Sequence, residues 1–289
     1  MALDACVLTA DVHMSALSHA LSSESEEIMG LLLGDIKEEN GQNVAYIWGL
    51  SLHVRSDRRA DRVEIHPEQL AAGAAEAEQL SAVVGVPTRV VGWYHSHPHI
   101  TVLPSHVDVR TQGQYQMLDN CFLGVIFSVF NTDSDKTQLM QVTAFQSTCF
   151  DEQGNQIDSL PGKDAGMGGN RFYQQKEIPL SVASSEASQI ISGIQPLVNL
   201  QRILLDEERA AFLSSLHGES DEAGREVHPL QALHSNAVYQ KMLCRLMELS
   251  TVPVLYALRH RTSANRKRLA SLGEEESKLK ELLGDTGTD

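Results

Sequence analysis

Hydrophobic and polar positions change period several times along the chain, and each change predicts an element. Short apolar runs rich in β-branched and aromatic residues predict strands at 5–8, 28–33, 44–52, 62–65, 88–95, 122–130, 139–146 and 172–182. Amphipathic or Ala-rich stretches predict helices at 11–21, 67–83 and 105–118. Helices and strands alternate too irregularly for a doubly wound parallel sheet. We therefore predict an α/β fold with a mixed β-sheet flanked by helices.

The second part of the chain has a helical pattern. A Gly-rich loop at 161–169 precedes it, and this loop is not a phosphate loop because its Gly spacing is wrong and no Lys-Ser/Thr pair follows. From Ser184 onward the pattern is helical, with breaks near 218–224 and around Pro253. We predict a first domain at 1–183 and a C-terminal helical region at 184–289.

The C-terminal helix carries a coiled-coil-like seam. Residues in three-four alternation define it: Leu255, Leu258, Thr262, Asn265, Leu269, Leu272, Glu276, Leu279 and Leu283. Three of the nine are polar and Gly273 weakens the repeat, a pattern that lowers stability but can fix register and partner choice. An isolated surface helix would also fit, but we favour pairing with a helix of another subunit.

Residues that could bind a metal occur at the end of the strand predicted at 88–95. Residues i and i+2 of a strand share a face, so His95 and His97 can point at one site before Pro98 ends the strand. Ser105 begins a helix whose first turn contains Asp108. Two His and one carboxylate form a recurrent catalytic zinc set. Taken separately, Ser-x-x-Asp is also a capping box, and His-x-His is also found on polar strand faces.

A general base for such a site is available upstream. The acidic cluster 24–27 directly precedes an apolar strand, and Glu27 is the member at the strand start, where it could point inward. Acidic residues at such a junction are also commonly solvated loop or cap residues. Glu27 is therefore a candidate base on position alone.

Composition and charge narrow the function classes. The chain has 289 residues, of which 42% are hydrophobic and 21% charged, as in ordinary globular proteins. A net charge of −15 argues against a broad nucleic-acid or anionic-membrane surface. We expect no membrane span and no secretory signal. The four cysteines lack paired spacing and are expected to be reduced thiols of a cytosolic or nuclear protein.

These motifs together resemble a known signature. Glu27-x-Met29-Gly30, the run 95–98, Ser105 and Asp108 are similar, in order and spacing, to the JAMM signature of MPN+ metalloproteases. The longer runs 90–102 and 104–112 resemble the BRCC family, the catalytic subunits of BRISC-type deubiquitinases. The resemblance covers the first domain well and continues weakly into the helical tail. It implies the MPN fold.

The resemblance also implies a mechanism. His95, His97 and Asp108 would hold one Zn²⁺ per chain. Glu27 would take the proton of the attacking water and pass it to the leaving lysine amine, and Ser105 would donate a hydrogen bond to the oxyanion.

The resemblance further implies that the chain hydrolyses lysine-63-linked polyubiquitin, in the cytoplasm and nucleus. A catalytically inactive MPN partner of the Abraxas type would form a heterodimer with the chain, and C-terminal helices would mediate higher assembly. Neither direct nucleic-acid binding nor membrane binding is expected. The motif leaves open a signalosome-type deneddylase or a proteasome-lid-type deubiquitinase, and a non-catalytic MPN scaffold is a further alternative. His99 and His106 fall outside the motif and are expected on a loop and a helix surface.

Overall fold

The computed structural model describes residues 3–53, 65, 67–150, 156–157, 172–184, 190–217 and 228–285. The chain forms two compact units, Met1–Leu213 and Ser214–Asp289. None of the helices within these described ranges is long and apolar enough to cross a bilayer.

The first unit is built on one mixed sheet. Within the described residues its nine strands are β1 (Ala5–Thr9), β2 (Met29–Glu39), β3 (Gln42–Ser51), β4 (Arg89–Pro98), β5 (Leu123–Thr132), β6 (Gln138–Phe150), β7 (Gln156–Ile157), β8 (Phe172–Ile178) and β9 (Leu180–Ala183). Their order is β7-β6-β5-β4-β2-β3-β1-β9, and β8 also pairs with β6. β1 runs parallel to β3 and β9, and β4 runs parallel to β5, whereas the other pairs are antiparallel.

The sheet is covered by helices α1 (Ala10–Ala20), α2 (Pro67–Val84) and α3 (His106–Gln116). Alternation along β4 divides its side chains between the two faces. Trp93 belongs to a buried cluster against which Leu70 of α2 and Tyr115 of α3 pack. Tyr94 points the other way, and its hydroxyl lies 2.8 Å from His19 Nδ1 of α1. The predicted mixed sheet flanked by helices is confirmed.

The prediction of a single last strand at 172–182 is wrong. The segment forms two strands, β8 and β9, that pair with different neighbours: β8 lies beside β6 and β9 lies beside β1. Pro179 separates them, because proline has no N–H to donate to a ladder and its ring fixes φ. The Pro179 carbonyl accepts a hydrogen bond from the N–H of Cys6, a residue of β1. This bond sets the chain beside β1 just before β9 begins.

Two predicted elements cannot be compared. The strand at 62–65 falls outside the described residues except for Ile65, which is not in a strand. The Gly-rich loop at 161–169 lies wholly outside them, as does the helix break predicted near 218–224.

Helices α4 (Ile190–His217), α5 (Pro229–Leu246) and α6 (Val252–Asp285) make up the C-terminal part of the described chain. The break predicted around Pro253 takes the form of a π-helical turn, Met247–Thr251, between α5 and α6. Pro253, the second residue of α6, follows this turn directly, and its missing N–H removes one backbone hydrogen bond from the helical stretch that α5, the turn and α6 form. Along the α6 seam, five leucines are exposed: Leu255, Leu269, Leu272, Leu279 and Leu283.

Candidate metal centre

Three side chains from β4 and α3 converge at one point. His95 Nε2 lies 3.1 Å from His97 Nε2, and these two nitrogens lie 3.5 Å and 3.4 Å from the two carboxylate oxygens of Asp108. Ligand atoms about 2.05 Å from a tetrahedral ion stand about 3.3 Å apart. Both histidines are buried, and Asp108 is 12% exposed. Donor type and spacing therefore fit a small tetrahedral cation with one open position.

A capping box fixes the carboxylate of Asp108. Ser105 is the N-cap of α3, and its Oγ accepts a hydrogen bond from Asp108 N–H at 3.2 Å. Asp108 in turn accepts one from Ser105 N–H at 2.7 Å. Burial raises the pKa of Asp108, but its interactions with the neighbouring His95 and His97 outweigh burial and hold that pKa well below its usual range. Asp108 is therefore an anion at the positive end of a helix.

The loop after β4 sets the tautomer of His97. His97 Nδ1 lies 2.7 Å from the Thr101 carbonyl oxygen, which can only accept, so Nδ1 carries the hydrogen and Nε2 keeps its lone pair for a metal. The loop itself is held at the Ile100 carbonyl, which accepts from Ser128 Oγ at 2.6 Å and from Asn131 Nδ2 at 3.2 Å.

Packing sets the plane of the His95 ring. The Trp93 indole stacks on it with ring centroids 4.6 Å apart and an interplanar angle of 16°. Burial lowers the pKa of His95, which favours the neutral imidazole that metals bind. Trp93 lies two residues before His95, and the period of a strand places both on one face.

Strand register places Glu27 beside this site. Met29 pairs with His95 in the antiparallel β2–β4 ladder, and the next residue, Ile28, exchanges two hydrogen bonds of 3.0 Å with Ser96. The ladder ends at Met29 and His95, and extending its register by two residues would set Glu27 opposite His97, on the same face. Burial lowers the pKa of His97, but Asp108, the Thr101 carbonyl and, to a smaller extent, the charge of Glu27 together raise it.

The sequence-predicted residues thus fall into two groups. His95, His97 and Asp108 form a group whose ligand atoms all lie within 4.8 Å of one another. Ser105 caps α3 beside that group, and Glu27, two residues before β2, is close enough to His97 to influence its pKa. His99 lies outside it, with its Nε2 3.2 Å from Glu24 Oε1 on an exposed surface.

Sequence reasoning missed the supporting contacts. Trp93 could have been found from the same i, i+2 period that linked the two histidines. The Thr101 carbonyl could not, because any residue supplies a carbonyl and only the loop conformation aims it at His97.

Comparisons with known proteins agree with this geometry. Residues 2–120 match the family described as JAB1/Mov34/MPN/PAD-1 ubiquitin protease, and residues 194–279 match the BRCC36 C-terminal helical domain. The chain is 38% identical to the Lys-63-specific deubiquitinase BRCC36 of Xenopus tropicalis over 99% of this chain and 100% of the relative. It is 36% identical to the human protein of that name, over 93% of this chain and 92% of the relative.

Both matches extend the likeness beyond the metal-binding motif. The first covers β1 to β4 and α1 to α3, which include the candidate site, and the second covers most of α4 and α6 and all of α5. The predicted family resemblance is therefore confirmed, and the chain belongs to the BRCC36 family, whose first domain is a JAB/MPN ubiquitin protease domain.

Proposed function

We propose that this chain is a zinc-dependent isopeptidase that cleaves lysine-63-linked polyubiquitin. The observation that carries this proposal is the convergence of His95, His97 and Asp108 on one point, with Glu27 close enough to His97 to affect its pKa. The relatives named Lys-63-specific deubiquitinase BRCC36 match along nearly their whole length, which supports the same linkage for this chain.

The proposed metal is one Zn²⁺ per chain. Two neutral imidazoles and one carboxylate with a fourth position open form a recurrent catalytic zinc set. When bound, Zn²⁺ lowers the pKa of water to about 7 and polarises carbonyl groups. The contacts of His97 with Thr101 and of Asp108 with Ser105 aim two of the three ligands before any ion binds.

Glu27 is the proposed general base and acid. Its carboxylate accepts a proton from the water that attacks the isopeptide carbonyl carbon. The carbon–nitrogen bond then breaks, and the same proton passes to the departing Nζ of the substrate lysine. One carboxyl group thus serves both steps and returns to its ionised form, a role that contributes about 10²–10⁴-fold in rate.

Ser105 is the proposed oxyanion donor. The side chain is exposed, and its Oγ is held at the start of α3 by the hydrogen bond from Asp108 N–H. A hydroxyl fixed in this way loses little entropy when it donates a hydrogen bond to the oxygen that gains charge.

A partner subunit is part of the proposal. The exposed leucines of α6 form a stripe along a helix of 34 residues, and exposed apolar stripes usually mark partner surfaces. We propose an inactive MPN subunit of the Abraxas type as this partner, and the cytoplasm and nucleus as the places of action.

Purified chain, alone and with that partner, should be tested against diubiquitins of every linkage and against a NEDD8 conjugate. We expect cleavage of the lysine-63 linkage, and preference for the NEDD8 conjugate would favour a deneddylase instead. Glu27→Gln keeps the side-chain volume and should abolish turnover while ubiquitin still binds. Glu26→Gln, which removes the neighbouring charge, is the matched control and should remain active. Equal activity of the two variants would contradict the role of Glu27.

A further inference from the structure

A buried hydrogen bond links the two elements that carry the metal ligands. The indole Nε1 of Trp93, on β4, donates to Oε1 of Gln112, on α3, at 2.8 Å. Gln112 is fully buried and lies one helical turn after Asp108. Neither residue belongs to the ligand set or to the proposed proton-transfer and oxyanion groups.

The Gln112 carboxamide has a fixed orientation. Its Nε2 donates to the Phe122 carbonyl at 2.7 Å and to Gln116 Oε1 at 3.0 Å. Rotating the carboxamide by 180° would set its amide against the indole N–H, and two donors cannot bond. Because every polar atom of the group is used, Gln112 holds the indole in one place rather than following it.

The indole transmits this constraint to a ligand. Trp93 stacks on His95 with a centroid distance of 4.6 Å, so the indole position limits the tilt of the imidazole. Gln112 and Asp108 belong to the same helix, which means that one rigid element aims the carboxylate and, through Trp93, the His95 ring.

We propose that Gln112 is a positioning residue for the metal site, acting through Trp93 on His95. The inference rests on the metal site proposed above. Loss of a group that orients a ligand from outside the ligand set typically weakens metal affinity about 10–100-fold. We expect a loss in this range when the Gln112–Trp93 bond is removed.

Gln146 provides a matched control. It is equally buried, and its Nε2 donates to the same Phe122 carbonyl at 3.0 Å, but it makes no hydrogen bond to Trp93. Gln112→Met and Gln146→Met therefore each take one N–H donor from that carbonyl, and only Gln112→Met frees the indole.

The test is zinc affinity of the full-length chain, measured by competition with a chromophoric chelator, for wild type and both variants. Gln112→Met should weaken zinc binding about 10-fold or more, and Gln146→Met should bind as wild type does. The visible spectrum of the Co²⁺-loaded protein, which reports ligand geometry, should change in Gln112→Met alone. Equal losses in both variants, or no loss in Gln112→Met, would overturn the proposal.

Trp93→Phe keeps a ring against His95 but removes the indole N–H, so it tests the same link if Gln112→Met does not fold. It too should weaken zinc binding, and wild-type affinity in Trp93→Phe would overturn the proposal. When both variants fold, their effects should be strongly non-additive because they break one bond, and simple addition would contradict the mechanism. A wild-type chain that binds no zinc would refute the proposed function itself, whereas normal zinc binding by every variant would refute this inference alone.

Discussion

Replacing Ser105 with alanine should have two separable effects, because the hydroxyl has one role in the fold and another in the proposed chemistry. As the N-cap of α3, its Oγ accepts the Asp108 N–H. Loss of such a cap costs about 1 kcal/mol, which lowers the melting temperature by about 2–4 °C for a domain of this size. Loss of an oxyanion donor costs about 10²–10³-fold in kcat.

Ser105→Gly separates these two effects. Glycine is an acceptable N-cap and costs only a few tenths of a kcal/mol relative to serine, although it has no hydroxyl. If the hydroxyl acts in catalysis, Ser105→Gly and Ser105→Ala should lose kcat to the same extent. If the cap alone matters through the position of Asp108, Ser105→Gly should retain most of the activity.

The assay combines calorimetry with steady-state cleavage of lysine-63-linked diubiquitin by the complex with its partner subunit. We expect a clear fall in melting temperature for Ser105→Ala, a smaller one for Ser105→Gly, and the same large fall in kcat for both. Near-normal kcat in Ser105→Gly would refute the catalytic role and leave Ser105 as a helix cap.

Three further outcomes are expected. His97→Ala should lose zinc measured by elemental analysis, because one of three protein ligands is gone; retention of one ion per chain would contradict the assignment. Truncation before Val252 should leave a folded first unit that binds zinc but no longer assembles with the proposed partner, as measured by size-exclusion chromatography with light scattering. Unchanged assembly would show that α6 is an ordinary surface helix. A thiol reagent should modify exposed Cys244 quickly and buried Cys6 and Cys149 only after unfolding, because burial hides both thiols and raises the pKa of Cys6 to about 12. Rapid Cys6 labelling in the folded Cys244→Ser variant would contradict this.

Local patterns made the candidate site predictable. The i, i+2 period of β4 predicts that His95 and His97 share one face. The pattern Ser105-x-x-Asp108 predicts the start of α3 and a carboxylate in its first turn. Ser105 is the N-cap of α3, and the same capping box orients the Asp108 carboxylate. The boundary predicted between residues 183 and 184 stays a prediction.

Contacts that depend on tertiary packing were not predictable. Gln112 has a polar side chain on a helix, and such residues usually face solvent, so its burial against Trp93 is visible only when α3 packs on the sheet. The proline at position 179 indicates that the segment 172–182 is divided into two strands. That β8 pairs with β6 and β9 pairs with β1, however, depends on contacts between residues far apart in the chain. Pairing of this kind leaves no local pattern in one sequence.

The most direct test of the central claim is zinc-dependent turnover. The complex of this chain with the proposed partner subunit is treated with a chelator, dialysed, and assayed on lysine-63-linked diubiquitin during titration with Zn²⁺. We expect no cleavage after chelation and full recovery at one Zn²⁺ per chain, with no recovery in His97→Ala. Full cleavage by the thoroughly chelated wild-type complex would contradict the account.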